Sequence, residues 1–350
     1  MTDSPARPRR RPRYPGRNPR AFHHKYKELN PERYTGEAEK VMASGKTPAG
    51  THRPIMVVEV LACLQPAPGE VAVDCTLGGG GHAQAILEHL QPGGRLIGLD
   101  VDPIELPRTE ARLRAVGFGP DTFIARPGNF AGLPRALAEQ GLITADLVIA
   151  DLGVSSMQLD DPVRGFTYKE PGPLDMRMNP SRGEPASSLL ARIDEAELAR
   201  LLTENADEPH ADLIAQILKA QPVTTTHLLE RLVRLGLTKA HPRLAKPDVK
   251  MSVRRTLQAL RIAVNDEFSA LDALLRALPS CLSPGGRVVV LTFHSGEDRR
   301  VKKAFQAGHR AGIYADVATE VIRSRMEETR ANRRASSAKL RWAVRASGPS

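Results

Sequence analysis

Between residues 54 and 151 the apolar positions follow two alternating rhythms: short continuous runs, and longer stretches with apolar residues three and four apart. The runs mark strands buried on both faces, and the spaced stretches mark amphipathic helices. The expected order is helix 54–64, strand 71–74, helix 83–90, strand 95–100, helix 103–116, strand 122–126, helix 131–140 and strand 145–151. Asp102 should cap the third helix, with Pro103 in its first turn. Such a βα alternation predicts a doubly wound α/β domain with a parallel sheet.

Beyond Asp151 the alternation stops. Residues 152–179 are polar and rich in Gly and Pro, helical patterns follow at 195–205, 211–220 and 226–235, and no strand pattern returns before Arg287. Irregular stretches of this length are usually functional, so a mostly helical insertion is expected over 165–255, flanked by core segments 51–164 and 256–345. The sheet should resume at 286–293, with 314–322 and 339–344 as final strands. One long helix is expected from Ser252 to about Leu275, with Leu257, Leu260, Val264 and Phe268 as its apolar stripe. Beside that stripe Arg254, Gln258, Arg261 and Asn265 share a face that could receive an RNA strand or anchor the insertion.

The candidate chemistry gathers at strand ends. The first strand stops at Asp74 and runs into Gly78, Gly79, Gly80 and Gly81, a junction where the backbone can approach a nucleotide-like ligand at a helix start. Asp100 ends the second strand, where open α/β sheets place a carboxylate against a ribose. Dinucleotides and S-adenosylmethionine both offer such a ribose, so the junction does not choose between them. At the end of the fourth strand, Asp151, Ser155, Ser156 and Gln158 face the same crevice. The loop that follows carries Asp160, Asp161, Arg164, Asp175 and Arg177, which suits a large polar substrate or a network of interdomain ion pairs. After the fifth strand, Ser295 and Asp298 fit a helix cap, leaving His294 and Glu297 to face the crevice or to serve structure.

Charge adds a partner class. The 350 residues carry a net charge of +10, and the segment from Pro5 to Arg20 alternates Arg with Pro without an acid. Residues 1–50 are therefore expected to form a disordered basic extension, read as a nucleic-acid-binding arm or as a solubilising or transit segment. Cys63, Cys75 and Cys281 lie far apart in apolar surroundings, which points to buried thiols, and no metal site is expected. No apolar run reaches the roughly 20 residues of a membrane span. A cytoplasmic location is the expectation.

Together these motifs resemble the RsmH (MraW) family of small-subunit ribosomal RNA cytosine-N4 methyltransferases, from about His52 to Arg341. The resemblance is carried by His52-Arg-Pro-Ile-Met, Asp74-Cys-Thr-Leu-Gly-Gly-Gly-Gly-His82, Asp100-Val-Asp-Pro103, Gly128-Asn-Phe130 and Asp151-Leu-Gly-Val-Ser-Ser-Met-Gln-Leu-Asp-Asp161. It continues through Arg164-Gly-Phe166, Gly172-Pro-Leu-Asp-Met-Arg-Met178, Leu257-Gln-Ala-Leu-Arg-Ile-Ala-Val-Asn-Asp-Glu267, Phe293-His-Ser-Gly-Glu-Asp-Arg299 and Ser337-Ala-Lys-Leu-Arg341.

The resemblance implies a Rossmann-like class I methyltransferase sheet with a helical insertion, and S-adenosylmethionine as cofactor. The matching cofactor positions are Gly80, Gly81, His82, Asp100, Phe130, Asp151 and Gln158. The implied reaction is N4-methylation of a decoding-centre cytosine, number 1402 in 16S rRNA, within the small ribosomal subunit. The Asp151 carboxylate, or carbonyls of the loop from Asp151 to Ser156 that includes Ser155, is expected to accept the amine hydrogens. Arg164, Asp175, Arg177, Arg254, Arg261, Asn265 and His294 are candidate substrate contacts. A homodimer is left open, and no membrane partner is expected.

The chain departs from the family pattern at Gly296, where the family has Leu, and at Asn205-Ala-Asp-Glu208, where it has Tyr-Gly-Glu-Glu. Residues 1–50 are no part of that pattern. A nicotinamide-dependent oxidoreductase, a non-catalytic RNA-binding assembly factor and a methyltransferase acting on another RNA or on DNA stay open as alternatives.

Overall fold

The computed structural model describes residues 54–347, so the expected basic extension and the His52-Arg53 part of the first motif lie outside the described residues. Helix α1 (Val57–Leu64) leads into β1 (Val71–Asp74), α2 (Gly81–Leu90), β2 (Arg95–Asp100), α3 (Glu105–Ala115), β3 (Phe123–Pro127), α4 (Leu133–Ala138) and β4 (Ala145–Asp151). The short α5 (Ser156–Asp160) follows, then α6 (Ala186–Arg192), α7 (Glu195–Ala206), α8 (Ala211–Lys219), α9 (Thr226–Ala240), α10 (Lys246–Asn265) and α11 (Glu267–Cys281). The chain finishes with β5 (Leu282–Thr292), α12 (Ser295–Arg310), β6 (Tyr314–Val317), β7 (Ile322–Arg323), α13 (Met326–Ala331) and β8 (Lys339–Arg345).

The strand order is β3-β2-β1-β4-β5-β8-β6, with β7 paired to β8. Strands β1 to β5 are mutually parallel, and β8 inserts antiparallel between β5 and β6. The chain leaves β1 toward β2 and β3, then returns to β4 on the other side. That reversal opens a crevice at the carboxyl ends of β1 and β4, where open sheets bind ligands.

Continuous apolar runs are needed because both faces of the sheet are covered. Val73, Ile97, Val148 and Val290 face a layer that includes residues of α11 and α12, while Ala72, Leu96, Ile149 and Val289 face residues of α1, α2 and α3. A separate apolar cluster, including Leu198, Ile214, Leu229, Val253 and Leu260, holds the helical region between β4 and β5 together. No helix among the described residues is long and apolar enough to cross a membrane.

Three expectations change in detail. The helix expected over 252–275 is two helices, broken at Asp266, whose left-handed φ of 49° turns the chain. Leu257 and Leu260 therefore join the helical-region cluster, whereas Leu271 and Leu274 pack beneath the sheet. The strand expected over 314–322 is split into β6 and β7, each pairing with a different part of β8. Helix α3 begins at Glu105, but the Asp102 carboxylate still accepts the Ile104 and Glu105 N–H groups, so the expected cap is present one turn ahead of the regular helix.

Candidate functional site

The glycine loop is braced from both ends. Leu77 N–H donates to Leu99 O at 2.8 Å, and Gly78 N–H donates to Asp100 Oδ2 at 2.6 Å. From α3, the Thr109 hydroxyl donates to Gly78 O at 2.5 Å, while Arg112 donates to Gly79 O and, at 2.9 Å, to Gln84 Oε1. Gly80 caps α2 at φ 67°, and a Cβ there would sit 2.7 Å from both Arg112 Nη2 and Thr109 Cγ2. Left-handed backbone and lack of room together require glycine at this position.

Asp74, Asp100 and Asp151 occupy the last positions of β1, β2 and β4. Burial pushes the Asp74 carboxyl up to about 6, against the lowering influence of His82 and the Thr76 N–H. Burial also pushes Asp100 up to about 6, although the N–H groups of Asp102 and Gly78 favour its ionised form. His82, buried at the start of α2, places Nε2 3.6 Å from Asp151 Oδ2. Both His82 ring nitrogens and Asp151 Oδ1 are buried without a hydrogen-bond partner among the described residues. Unsatisfied buried polar atoms are rare in folded proteins, and these three lie together where His82 meets the end of β4.

These raised carboxyls make stability depend on pH in a definite direction. Asp74 and Asp100 bind protons more tightly folded than unfolded, so they destabilise the fold at pH 7. That penalty shrinks as pH falls from about 6 toward the unfolded carboxyl value near 4. Asp74→Asn should therefore raise the melting temperature relative to wild type more at pH 7 than at pH 5 in the ligand-free protein. A difference independent of pH would remove the argument.

Asp102 ties the crevice to the segment beyond β4. It is almost fully buried, and its Oδ2 accepts from Gln158 Nε2 and from Arg164 Nη1, each at 2.8 Å. Gln158 also forms a capping box with Ser155: the Ser155 hydroxyl oxygen accepts the Gln158 N–H, and Gln158 Oε1 accepts the Ser155 N–H. Ser156 is the first residue of α5. Thr76 Oγ1 accepts the Asp151 N–H at 2.6 Å, joining the ends of β1 and β4. Phe130 stands in a 3-10 turn just past β3, half-buried, and Gly128 N–H donates to Asp100 O on the neighbouring strand.

The residues expected to meet substrate divide into two groups. Arg164 donates to the carbonyls of Arg177 and Met178 as well as to Asp102. Arg177 grips Asp175 with two 2.8 Å bonds; burial pushes the Asp175 carboxyl up, but these bonds outweigh it and hold it below the ordinary value. Asn265 accepts the Met178 N–H at 2.7 Å and donates to Met176 O at 2.8 Å. Arg261 clamps Glu267 with two 2.8 Å bonds, and its Nη1 lies 3.8 Å from where a Cβ of Gly153 would be. His294 Nε2 is 3.1 Å from Glu297 Oε1, and Glu297 also accepts the Phe293 N–H. Burial raises the Glu297 carboxyl, yet His294, Arg261 and that N–H leave it below its usual value. Arg164, Arg177, Arg261 and Asn265 thus hold the chain to itself around the crevice, while Arg254 projects into solvent.

Sequence reasoning missed the roles of Thr76, Arg112 and Glu267, and it read Asp102 as a helix cap alone. Asp102 stands two residues past the end of a strand, a signal of turn formation that says nothing about partners distant in sequence.

The sequence matches the MraW methylase family over residues 49–346. The chain belongs to the MraW methylase family. It is 46% identical over 343 residues to ribosomal RNA small subunit methyltransferase H 1 of Lachnoclostridium phytofermentans, covering 97% of this chain and 93% of that protein. Ribosomal RNA small subunit methyltransferase H 2 of Alkaliphilus metalliredigens is likewise 46% identical, over 96% of this chain and 97% of its own length. The corresponding protein of Anaeromyxobacter sp. (strain K) is 42% identical over 83% of this chain and 96% of its own.

The family match begins at residue 49, in keeping with the expectation that the extension stands outside the pattern. Alignments covering 96–97% of the chain nevertheless reach well into the first 48 residues, so relatives such as these two share much of that segment.

The two positions where a departure from the family pattern is expected, Gly296 and 205–208, are neighbours in space. A Cβ on Gly296 would meet Phe268 Cζ at 2.7 Å, so the Phe268 ring fills the volume into which a side chain would grow. Asp207 Oδ2 meets the Ser295 hydroxyl at 3.3 Å and Arg299 Nη2 at 3.1 Å, joining the end of α7 to the start of α12.

Proposed function

We propose that this methyltransferase transfers the methyl group of S-adenosylmethionine to the exocyclic N4 of a cytosine in the decoding centre of small-subunit rRNA, acting on the small ribosomal subunit in the cytoplasm. The observation that carries the reading is the buried Asp151 Oδ1, without a hydrogen-bond partner among the described residues, on a carboxylate beside His82 at the switch point of the sheet. The residues present suit the donor. A Cβ on Gly79 would meet nothing within 4 Å, so the glycine loop leaves open space for a ligand to approach its backbone, and the Asp100 carboxylate at the end of β2 is an acceptor for ribose hydroxyls. Gly80, Gly81, His82, Phe130 and Gln158 are the remaining positions assigned to the donor. Family membership and relatives named as rRNA small subunit methyltransferases support the substrate.

The sulfonium supplies a methyl group already activated for transfer. Cytosine N4 is a weak nucleophile because its lone pair is delocalised into the ring, so the protein's task is to orient it. The Asp151 carboxylate would accept an amine hydrogen, restore electron density to nitrogen and take the proton released as the N–CH3 bond forms and the S–CH3 bond breaks, its electron pair staying on sulfur as a thioether. The loop bearing Ser155 and Ser156 lies alongside and lines the approach. Because Gln158 and Arg164 both hold Asp102, that loop is fixed relative to β2. A stacked base cannot present its amine to the crevice, so the target must be splayed out of its helix, and the helical region 165–255 is assigned to gripping the flanking RNA.

The test is transfer of labelled methyl to small subunits lacking their own N4-methylcytosine, with mass spectrometry of the digested rRNA. Label on one decoding-centre cytosine is expected; label only on another RNA or on DNA would replace the substrate assignment. In a separate binding measurement, Asp100→Ala should raise the dissociation constant for the donor at least tenfold, since a charge-assisted hydrogen bond contributes about 1.5–3 kcal/mol. Calorimetry showing unchanged affinity would deny Asp100 its ribose role.

A further inference from the structure

Helix α10 carries its charges in an order that its own stability does not explain. Lys246, Lys250 and Arg254 recur every four residues and are all exposed, which places them along one outward ridge. At 1.5 Å per residue they span about 12 Å of the helix axis, with about 6 Å between neighbours, a separation that suits consecutive phosphates of an extended strand. No salt bridge or side-chain hydrogen bond engages any of the three among the described residues, and Asp248 is the one acid in the helix.

Two of these cations lie in the first turns, at the positive end of the helix dipole, where acids would be favourable and lysines are not. The row then changes character: Gln258 reaches toward Asn205 O, Arg261 clamps Glu267, and Asn265 holds the backbone of residues 176–178. Its tethered end adjoins Gly153, two residues past Asp151, so the free cations lead away from the crevice along a single rigid element.

We propose that Lys246, Lys250 and Arg254 form a phosphate-binding track that holds the single-stranded RNA flanking the target nucleotide. This rests on the methyltransferase reading above and assigns the direction in which the strand leaves the site. Phosphate neutralisation by three side chains carries no sequence preference; the track positions the strand, and the crevice selects the base.

The experiment compares full-length wild type with the triple variant Lys246→Gln, Lys250→Gln, Arg254→Gln, measuring binding to unmethylated small ribosomal subunits across a salt series, with methyl transfer followed in parallel. A control variant, Arg276→Gln with Arg310→Gln, removes exposed charge from α11 and α12, outside α10. Three lost phosphate contacts should flatten the plot of log affinity against log salt by about two and weaken low-salt affinity at least tenfold. Donor affinity should be unchanged in the triple variant, and the control should keep the wild-type slope. A wild-type slope in the triple variant, or an equal loss in the control, would overturn the track. Wild-type protein that binds subunits but transfers no methyl would overturn the proposed reaction instead, and the slope comparison would still decide the track.

Discussion

Replacing Asp151 by asparagine should lower the single-turnover rate of methyl transfer by about 10²–10⁴-fold, the usual contribution of a positioned general base. The substitution keeps size and shape. It leaves intact the bond from the Asp151 N–H to Thr76 Oγ1, which is what the backbone contributes to joining β1 and β4. What is lost is a carboxylate with one oxygen 3.6 Å from His82 and the other buried without a hydrogen-bond partner among the described residues. An amide keeps one acceptor oxygen but replaces the other with an N–H donor and carries no charge, so the variant loses the basic oxygen that would take the proton. Donor binding, measured separately, should change much less than the rate. A rate within a few-fold of wild type, at saturating donor and subunit, would show that the proton leaves by another route.

Asp102→Ala should be the most destabilising change near the crevice, by about 3–5 kcal/mol, and should lower the melting temperature by roughly 10 °C. The Asp102 side chain is 1% exposed and its Arg164 partner 9%. The carboxylate accepts from Ile104 N–H, Glu105 N–H, Gln158 and Arg164. Removing it strands a buried guanidinium, and that uncompensated charge makes up most of the cost. Adding Arg164→Met to Asp102→Ala should therefore restore part of the stability, a non-additivity expected of residues in one network. Thermal melts of the two single variants and the double variant check this. A loss below about 1 kcal/mol, or strict additivity, would mean that Arg164 finds other partners.

Much of the architecture was legible because both faces of the sheet are buried. Continuous runs such as 145–151 and 95–100 have few other uses, and both are strands with the expected bounds. The glycine junction was legible for a related reason, since four successive glycines after a strand make sense chiefly where the backbone must turn and approach something. Less could be read from the polar loop after β4. Its charges fit RNA contact or internal bracing in sequence, as does the polar face of α10, and the structure shows bracing for Arg164 and Arg177 in the loop and for Arg261 and Asn265 on α10. The break at Asp266 was hidden because α10 and α11 carry the same helical periodicity across it.

The sequence by itself determined the alternating sheet, the carboxylates at the ends of β1, β2 and β4, and the family, because each depends on residue types at short and regular spacings. Tertiary structure alone decided which charges face inward. Asp102 meets Arg164 across 62 positions, Asn265 meets Met178 across 87, and Arg287 meets Glu70 across 217. A charged side chain carries the same signal in sequence whether it is paired in a core or open to solvent; what differs is its desolvation, and that is set by the packing of segments distant along the chain.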